Sequence, residues 1–406
     1  MKTLLVHNHY RQPGGEDVVA GLEKELLIAA GHRVVEYVRH SDEIRDYGTA
    51  EKLTLPLRTV WAWDSYQEMR AVLKRERPDL AHFHNTFPLI SPAAYYACHE
   101  ASVPVVQTLH NYRLFCPGAT LFRSGAACEE CLEHSLWRAV LHGCYRNSRL
   151  ETSVVAIMLA VHRQLHTWRR TVDCFIAVSD FSRRKFIEGG IPAEKIAVKP
   201  NFVSVDPGSG ARSGEYALFT GRLSPEKGLL TLLAAWQRLR APVPLRVVGG
   251  GAEGHILEAR ARQMGLSGVR FLGQLPRDRV IGALRGALFL VSTSEWYETF
   301  GMALVEAFAC AVPVICSRLG AMQEIVADGR TGLHFTPGDP EDLAAKVDWA
   351  WTHPEEMAAM GKAARVEYES KYTAERNYEM LMQIYQRALG TGESVGAEGW
   401  GDGPEL

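Results

Sequence analysis

The sequence lacks several features that would assign it at once. No Asp-x-Asp occurs among its 406 residues. An ion that clamps a nucleoside diphosphate usually needs clustered carboxylates, so no catalytic metal is expected. The formal net charge is only −2, and no global field argues for a nucleic-acid partner. No run of about 18 apolar residues is present, which argues against a spanning helix. The opening M-K-T-L-L-V-H-N-H-Y turns polar after a short apolar run. It reads as a first strand rather than an export signal. Eight cysteines without such a signal point to a reducing, cytoplasmic setting and against disulfides.

What is present is alternation. The length admits roughly two to three domains, and strands alternate with helices, which predicts an α/β protein with parallel sheets. Strands are expected at Thr3–His7, Arg33–Val38, Asp79–Phe83, Val103–Leu109, Cys174–Val178 and Ile196–Lys199, with a helix over Glu16–Ala30 after an R-Q-P-G-G loop (11–15). Ser179 or Asp180 would cap another helix. A second set covers Tyr216–Thr220, Leu245–Val248, Val269–Leu272, Ala287–Ser292, Val312–Cys316 and Gly332–Phe335, with helices at Leu229–Arg240, Ala252–Met264 and Phe300–Ala309. Between the sets lies a Pro/Gly/Ser-rich stretch, the natural linker. The expected layout is a first Rossmann-like domain over 1–200, a linker over 201–214 and a second Rossmann-like domain over 215–371. A helix over 372–389 and a disordered Gly-rich tail over 390–406 complete it. Two doubly wound domains facing each other would hold their ligand in the cleft between them.

The chemistry concentrates in two motifs. S-E-W-Y-E-T-F-G-M-A-L-V-E-A-F-A (294–309) carries Glu298 and Glu306 with seven residues between them. Eight helical steps would part the carboxylates by about 12 Å, which suits two ends of one long ligand. Phe300, Gly301 and Met302 open the helix, and its first N–H groups favour a phosphate or hydroxyl-rich ligand. The bland reading is a helix with one N-terminal and one solvated acid. The second motif, G-R-L-S-P-E-K-G (221–228), follows a strand. Arg222 offers a planar fork and Lys227 a point charge, both suited to a diphosphate; the bland reading pairs them with acids such as Glu226. Gly14 and Gly15 permit close backbone approach to a ligand, or form an ordinary turn. His110 ends a strand and introduces a long loop, and such loops tend to be functional. G-G-G-A-E-G (249–254) satisfies G-x-G-x-x-G, but the next strand ends F-L-G-Q without the acid that a dinucleotide site needs.

G-R-L-S-P-E-K-G and E-T-F-G-M-A-L-V-E (298–306) match two motifs of glycosyltransferase family 4, and the chain resembles that family over most of its length. The resemblance implies a GT-B fold and retaining transfer from a nucleotide-diphosphate sugar. Arg222 and Lys227 would hold the donor diphosphate, and Glu298 would contact hydroxyls of the transferred sugar. Backbone N–H groups of Phe300 and Gly301 would meet the sugar, those of Met302 and Ala303 the phosphate and ribose, and Glu306 the ribose. Gly15 would sit near the diphosphate and His110 would face the sugar. The first domain would bind the acceptor, the second the donor, and the last helix would cross back. The family's proposed course is front-face attack without a metal. UDP is the first expectation for the nucleotide and GDP, as in GDP-mannose, the second. The acceptor would be a glycan, a lipid-linked glycan or another glycoside, in bacterial cell-surface polysaccharide synthesis. A nucleotide-sugar epimerase and a catalytically silent sugar-nucleotide-binding partner are the alternatives.

Two features lie outside that pattern. Cys116, Cys128, Cys131 and Cys144 fall within the 111–147 insertion, and C-E-E-C is a zinc-knuckle spacing, so a structural zinc site is expected. A redox-labile or merely solvated cluster is the alternative. Cys98, Cys174, Cys310 and Cys316 read as core. Trp137–Arg170 holds six arginines against one acid around V-V-A-I-M-L-A-V (154–161). It is either a helix lying on the inner face of an anionic membrane or a core helix with arginines at its ends.

Overall fold

The computed structural model describes residues 1–11, 14–210 and 215–391. Residues 12–13 of the expected glycine loop, 211–214 of the expected linker and 392–406 of the expected tail lie outside them. Runs of Val, Ile, Leu and Phe form the strands, as buried parallel sheets require. In the first half β1 (Lys2–His9), β2 (Arg33–His40), β3 (Leu80–Asn85) and β4 (Val105–Leu109) precede a hairpin of β5 (Phe122–Arg123) and β6 (Ala126–Ala127); β7 (Cys174–Ala177) and β8 (Ile196–Val198) follow. The second half contributes β9 (Ala217–Thr220), β10 (Leu245–Val248), β11 (Val269–Phe271), β12 (Phe289–Ser292), β13 (Val314–Ser317) and β14 (Gly332–Phe335).

Two six-stranded sheets result, ordered β2-β1-β3-β4-β7-β8 and β11-β10-β9-β12-β13-β14. Every pairing within them is parallel, with Leu4 beside Val35 and Leu290 beside Leu218. This is the two-domain α/β architecture of GT-B proteins. The order reverses between β1 and β3 in one sheet and between β9 and β12 in the other. Ligands of such sheets bind beyond the carboxyl ends of the strands that flank the reversal. Those ends feed the glycine turn in the first half and both charged motifs in the second.

Several boundaries differ from the sequence reading. The helix expected over Phe300–Ala309 spans only Met302–Ala309, because Gly301 takes the N-cap at φ +113°. Glu298 sits in the loop after β12, as the sequence reading places it, so the fully helical 12 Å spacing does not apply. Gly15 is the first residue of helix Gly15–Ala29 rather than a loop residue. Lys227 ends a single 3-10 turn, Pro225–Lys227, ahead of helix Leu229–Trp236. Trp137–Arg170 breaks into helices Trp137–His142, Arg149–Gln164 and Thr167–Thr171. Residues 201–210 are pinned: Phe202 and Val203 are buried, and Val203 N–H donates to the Tyr372 carbonyl at 3.1 Å.

The two closing helices divide their allegiance. Helix Pro354–Lys371 packs on helix Met302–Ala309 of the second half. Helix Ala374–Ala388 packs on the first half, where Leu381, Ile384 and Tyr385 meet Leu27, Leu80, Val106 and Ile176.

Candidate functional site

On the second sheet, both motifs leave the strands beside the reversal. Gly228 lets the loops meet: its φ is +66°, and a Cβ there would stand 2.0 Å from the Thr293 carbonyl oxygen. Thr293 Oγ1 donates to the Lys227 carbonyl at 2.8 Å. The Lys227 ammonium is thereby brought onto the Glu298 carboxylate, to which Ser294 Oγ also donates at 2.7 Å. The same ammonium lies 5.5 Å from the Trp296 ring centroid. Burial pushes the Glu298 carboxyl up, but Lys227 and the hydrogen bonds outweigh it and hold it below the usual range, ionised. Glu306 differs. Burial raises its carboxyl, and Arg277, at 3.5 Å, offsets this only in part.

Arg222 is exposed, and among the described residues neither it nor Lys227 pairs with Glu226, whose carboxylate takes the Ser224 hydroxyl at 2.6 Å. Arg222 instead reaches across the cleft, with Nη2 3.6 Å from where a Cβ on Gly14 would lie. The bland reading of this motif as a local surface pairing is thereby not what the fold contains. The G-G-G-A-E-G stretch has a packing role: a Cβ on Gly249 would stand 1.8 Å from the Gly221 carbonyl oxygen, and Leu223 N–H donates to the Gly250 carbonyl at 2.9 Å. These glycines seat the Gly221–Leu223 turn.

Across the cleft, Asp17 organises the glycine turn. Its Oδ2 accepts from Gly14 N–H at 2.6 Å, and its Oδ1 meets His7 Nε2 at 2.8 Å and His9 Nδ1 at 3.0 Å. Glu16 follows Gly15 and accepts from Asn111 Nδ2 at 2.9 Å. Burial pushes its carboxyl up to about 7.

His110 stands at the end of β4, and its carbonyl accepts from Thr299 Oγ1 at 2.9 Å, one residue past Glu298. Ser179 Oγ also donates to the Thr299 carbonyl, at 2.7 Å, while capping its own helix at Ser182 N–H. Burial lowers the His110 imidazole to about 3, so the ring is neutral. Its Nε2 is 3.0 Å from His84 Nδ1. Behind them lies a polar network that sequence reasoning missed. Glu23 and Lys199 are both fully buried and bonded at 2.5 Å, and Lys199 also donates to Asn377 Oδ1 at 3.2 Å. Glu23 Oε2 faces both His84 Nε2 and His82 Nδ1 at 3.6 Å, and neither Glu23 Oε2 nor His84 Nε2 makes a hydrogen bond. Burial opposes the Glu23 charge, but Lys199 prevails and its carboxyl stays low. The signal was available: Glu23 falls on the same helix face as the buried Val19, Ala20 and Leu27, and Lys199 directly follows β8.

The four cysteines of the insertion come together around one small cavity. Among the described residues, the sets of three donor atoms within 4.8 Å of one another are His7–His9–Asp17 and Glu23–His82–His84, and no three of these sulfurs form such a set. The basic stretch has two characters. Val155, Ala156, Met158 and Leu159 are core, whereas Leu150 is 77% exposed and Ile157 53%. Helix Thr49–Val60 packs alongside and adds Leu53 and Leu57, 76% and 72% exposed. No described helix is long and apolar enough to cross a membrane.

Comparison with known proteins accords with this geometry. Residues 13–207 match the profile described as Glycosyltransferase Family 4, and residues 209–367 match Glycosyl transferases group 1. A phosphatidyl-myo-inositol mannosyltransferase of Mycobacterium tuberculosis is 34% identical over 271 residues, covering 62% of this chain and 68% of that protein. A glycogen synthase of the same organism is 28% identical over 328 residues, covering 77% and 69%. Among solved structures, sucrose-phosphate synthase from Thermosynechococcus elongatus superposes with a TM-score of 0.72 at 20% identity, over 96% of this chain and all of that one. Anabaena HepE in complex with UDP and glucose superposes at 0.67 and 20% identity, over 94% and 98%.

Proposed function

The chain belongs to glycosyltransferase family 4, and from that premise we propose that it is a retaining hexosyltransferase that moves a sugar from a nucleoside-diphosphate donor without a catalytic metal. The observation that carries this reading is the convergence of Lys227, Glu298, Arg222 and the start of helix Met302–Ala309 on the cleft facing His110 and Gly15. Cleaving the sugar–phosphate bond leaves an oxocarbenium-like sugar and a diphosphate of growing negative charge. Arg222, Lys227 and the N–H groups of Met302 and Ala303 stabilise that charge most in the transition state. Glu298, ionised, accepts from sugar hydroxyls, and Phe300 and Gly301 offer N–H groups to the same sugar. Glu306 takes the ribose. His110, neutral, meets the sugar from the other domain. The leaving phosphate accepts the acceptor's proton, so attack occurs on the face that the phosphate leaves.

The donor base is UDP first. The UDP-bound Anabaena structure favours it, while the names of the mannosyltransferase relatives favour a mannose donor carried on GDP. The acceptor is lipid-linked. Exposed Leu53, Leu57, Leu150 and Ile157 with Lys52 and Arg149 at the same helices suit an anionic bilayer surface, in keeping with the phosphatidylinositol named for the relatives. Vesicle flotation that is independent of anionic lipid would remove the membrane from this reading.

Thermal shift with UDP, GDP, ADP and their sugars, without added metal, tests the donor. A ligand at 100 times its Kd stabilises by about 2.7 kcal/mol. A shift with one nucleotide, lost in Lys227→Ala, supports the assignment. No shift with any of them would favour a silent partner, and interconversion of free nucleotide sugars would favour an epimerase.

A further inference from the structure

The insertion between β4 and helix Arg149–Gln164 has little of its own to hold it. Its regular structure is the hairpin of two-residue strands β5 and β6, the four-residue helix Glu130–Glu133 and the six-residue helix Trp137–His142. Elements this short form little core of their own, and the segment leans on the core of the first half through Tyr112, Phe115, Leu121, Leu136, Ala139 and Val140. Yet the segment brings a cysteine to one place from four points along its length. Cys116 closes a turn in which its N–H donates to the Tyr112 carbonyl at 2.9 Å. Cys128 leaves β6, and its N–H donates to the Leu121 carbonyl at 2.7 Å. Cys131 lies one turn on, in Glu130–Glu133, and Cys144 follows the left-handed Gly143. All four line the same cavity, and all four thiols are free. Gly118 lets the outer pair approach: a Cβ there would stand 3.3 Å from the Cys144 carbonyl oxygen and 3.8 Å from Cys116 Sγ.

We propose that Cys116, Cys128, Cys131 and Cys144 bind one structural Zn²⁺ as a tetrathiolate. Zinc takes four thiolates tetrahedrally at about 2.3 Å, and a hairpin leading into C-x2-C is the usual knuckle. No three of the sulfurs lie within 4.8 Å of one another, so binding one ion requires them to close around it. Four thiolates on Zn²⁺ carry a net charge of about −2, and Arg123 and Arg138 line the same cavity. A redox pair would need only Cys128 and Cys131 and would leave the convergence of Cys116 and Cys144 unexplained.

The site also has a reach. Glu129, inside the knuckle, takes the Lys185 ammonium at 2.8 Å, and that ammonium lies 5.5 Å from the ring centroid of Tyr297, which adjoins Glu298. Resting on the donor-site reading above, the ion anchors the insertion against the donor loop.

The test uses the full chain purified anaerobically. Elemental analysis should give one zinc per chain, and Zn-edge X-ray absorption four sulfurs at about 2.3 Å. Cys128→Ser should lose most of the metal while Cys310→Ala keeps it. The wild-type absorption measurement stands even if Cys128→Ser fails to fold. Less than about 0.1 zinc per chain, a shell with fewer than three sulfurs, or a Cys128–Cys131 disulfide by mass spectrometry would overturn the site. Zinc removal should weaken UDP binding several-fold. Stoichiometric zinc in a chain that binds no nucleotide would keep the metal site and defeat the donor reading.

Discussion

Replacing Lys199 with methionine isolates the network behind His110. The stem keeps its packing, but the Glu23 carboxylate loses its cation at a site with no solvent. Breaking one partner of a buried pair costs about 3–5 kcal/mol. Proton uptake sets a ceiling. Glu23 has an ordinary value of 4.5, so holding it neutral at pH 7 costs about 1.36 × 2.5, or roughly 3.4 kcal/mol. The sign follows from the shifts. In the wild type the folded value is lowered, so Glu23 contributes stability that is present above 4.5 and lost as pH falls through the folded value. In the variant, burial alone acts and raises it, so stability is kept below 4.5 and lost as pH rises. The deficit should therefore be about 3 kcal/mol near pH 7 to 8, a melting shift on the order of 6–12 °C, and should shrink as pH falls toward 4.5. Melting scans across that range measure it, and Glu23→Gln added to Lys199→Met should recover most of the loss at pH 7. A deficit under about 1 kcal/mol, or one that does not change with pH, would mean that the pair is not charged and desolvated as described.

Lys227→Ala and Glu298→Ala should each lower turnover by two or more orders of magnitude, about 2.7 kcal/mol or more of transition-state stabilisation, in a sugar-transfer assay; near-wild-type rates would remove that residue from the mechanism. Gly228→Ala forces a Cβ onto the Thr293 carbonyl and strains a positive φ, so the loop should shift and the UDP-induced melting shift should fall, with a loss of about 1–3 kcal/mol in stability. Glu16, raised to about 7, contributes stability that is complete below 4.5 and lost as pH rises through 7. Glu16→Gln should abolish that loss, so its melting point should exceed the wild type's more at pH 8 than at pH 5.

The sheets were legible because parallel strands are continuous apolar runs, and their register with turn signals left few alternatives. The charged motifs were legible because Arg222, Lys227 and Glu298 stand at strand ends where local packing does not ask for charge. The pairing of Lys227 with Glu298 was not, since it joins residues on different loops through the single glycine at 228. Glu23, His84 and Lys199 were hidden for the opposite reason. Each looks ordinary in its own segment, and only the meeting of helix Gly15–Ala29, β3 and β8 makes them a network. The basic stretch stayed open because periodicity does not say which apolar residues face inward; Met158 and Leu159 do, and Ile157 does not.

The closing helix gives this protein an order of assembly. Leu27, Leu80, Val106 and Ile176 are covered by Leu381, Ile384 and Tyr385, and Lys199 donates to Asn377 as well as to Glu23. During synthesis, therefore, the first domain leaves the ribosome with an apolar strip bare and a buried ion pair short of a partner. It waits in that condition while the whole second domain is translated. Chaperone demand should fall on the first half, and a ribosome stalled before residue 374 should display it protease-sensitive while the second sheet is already closed.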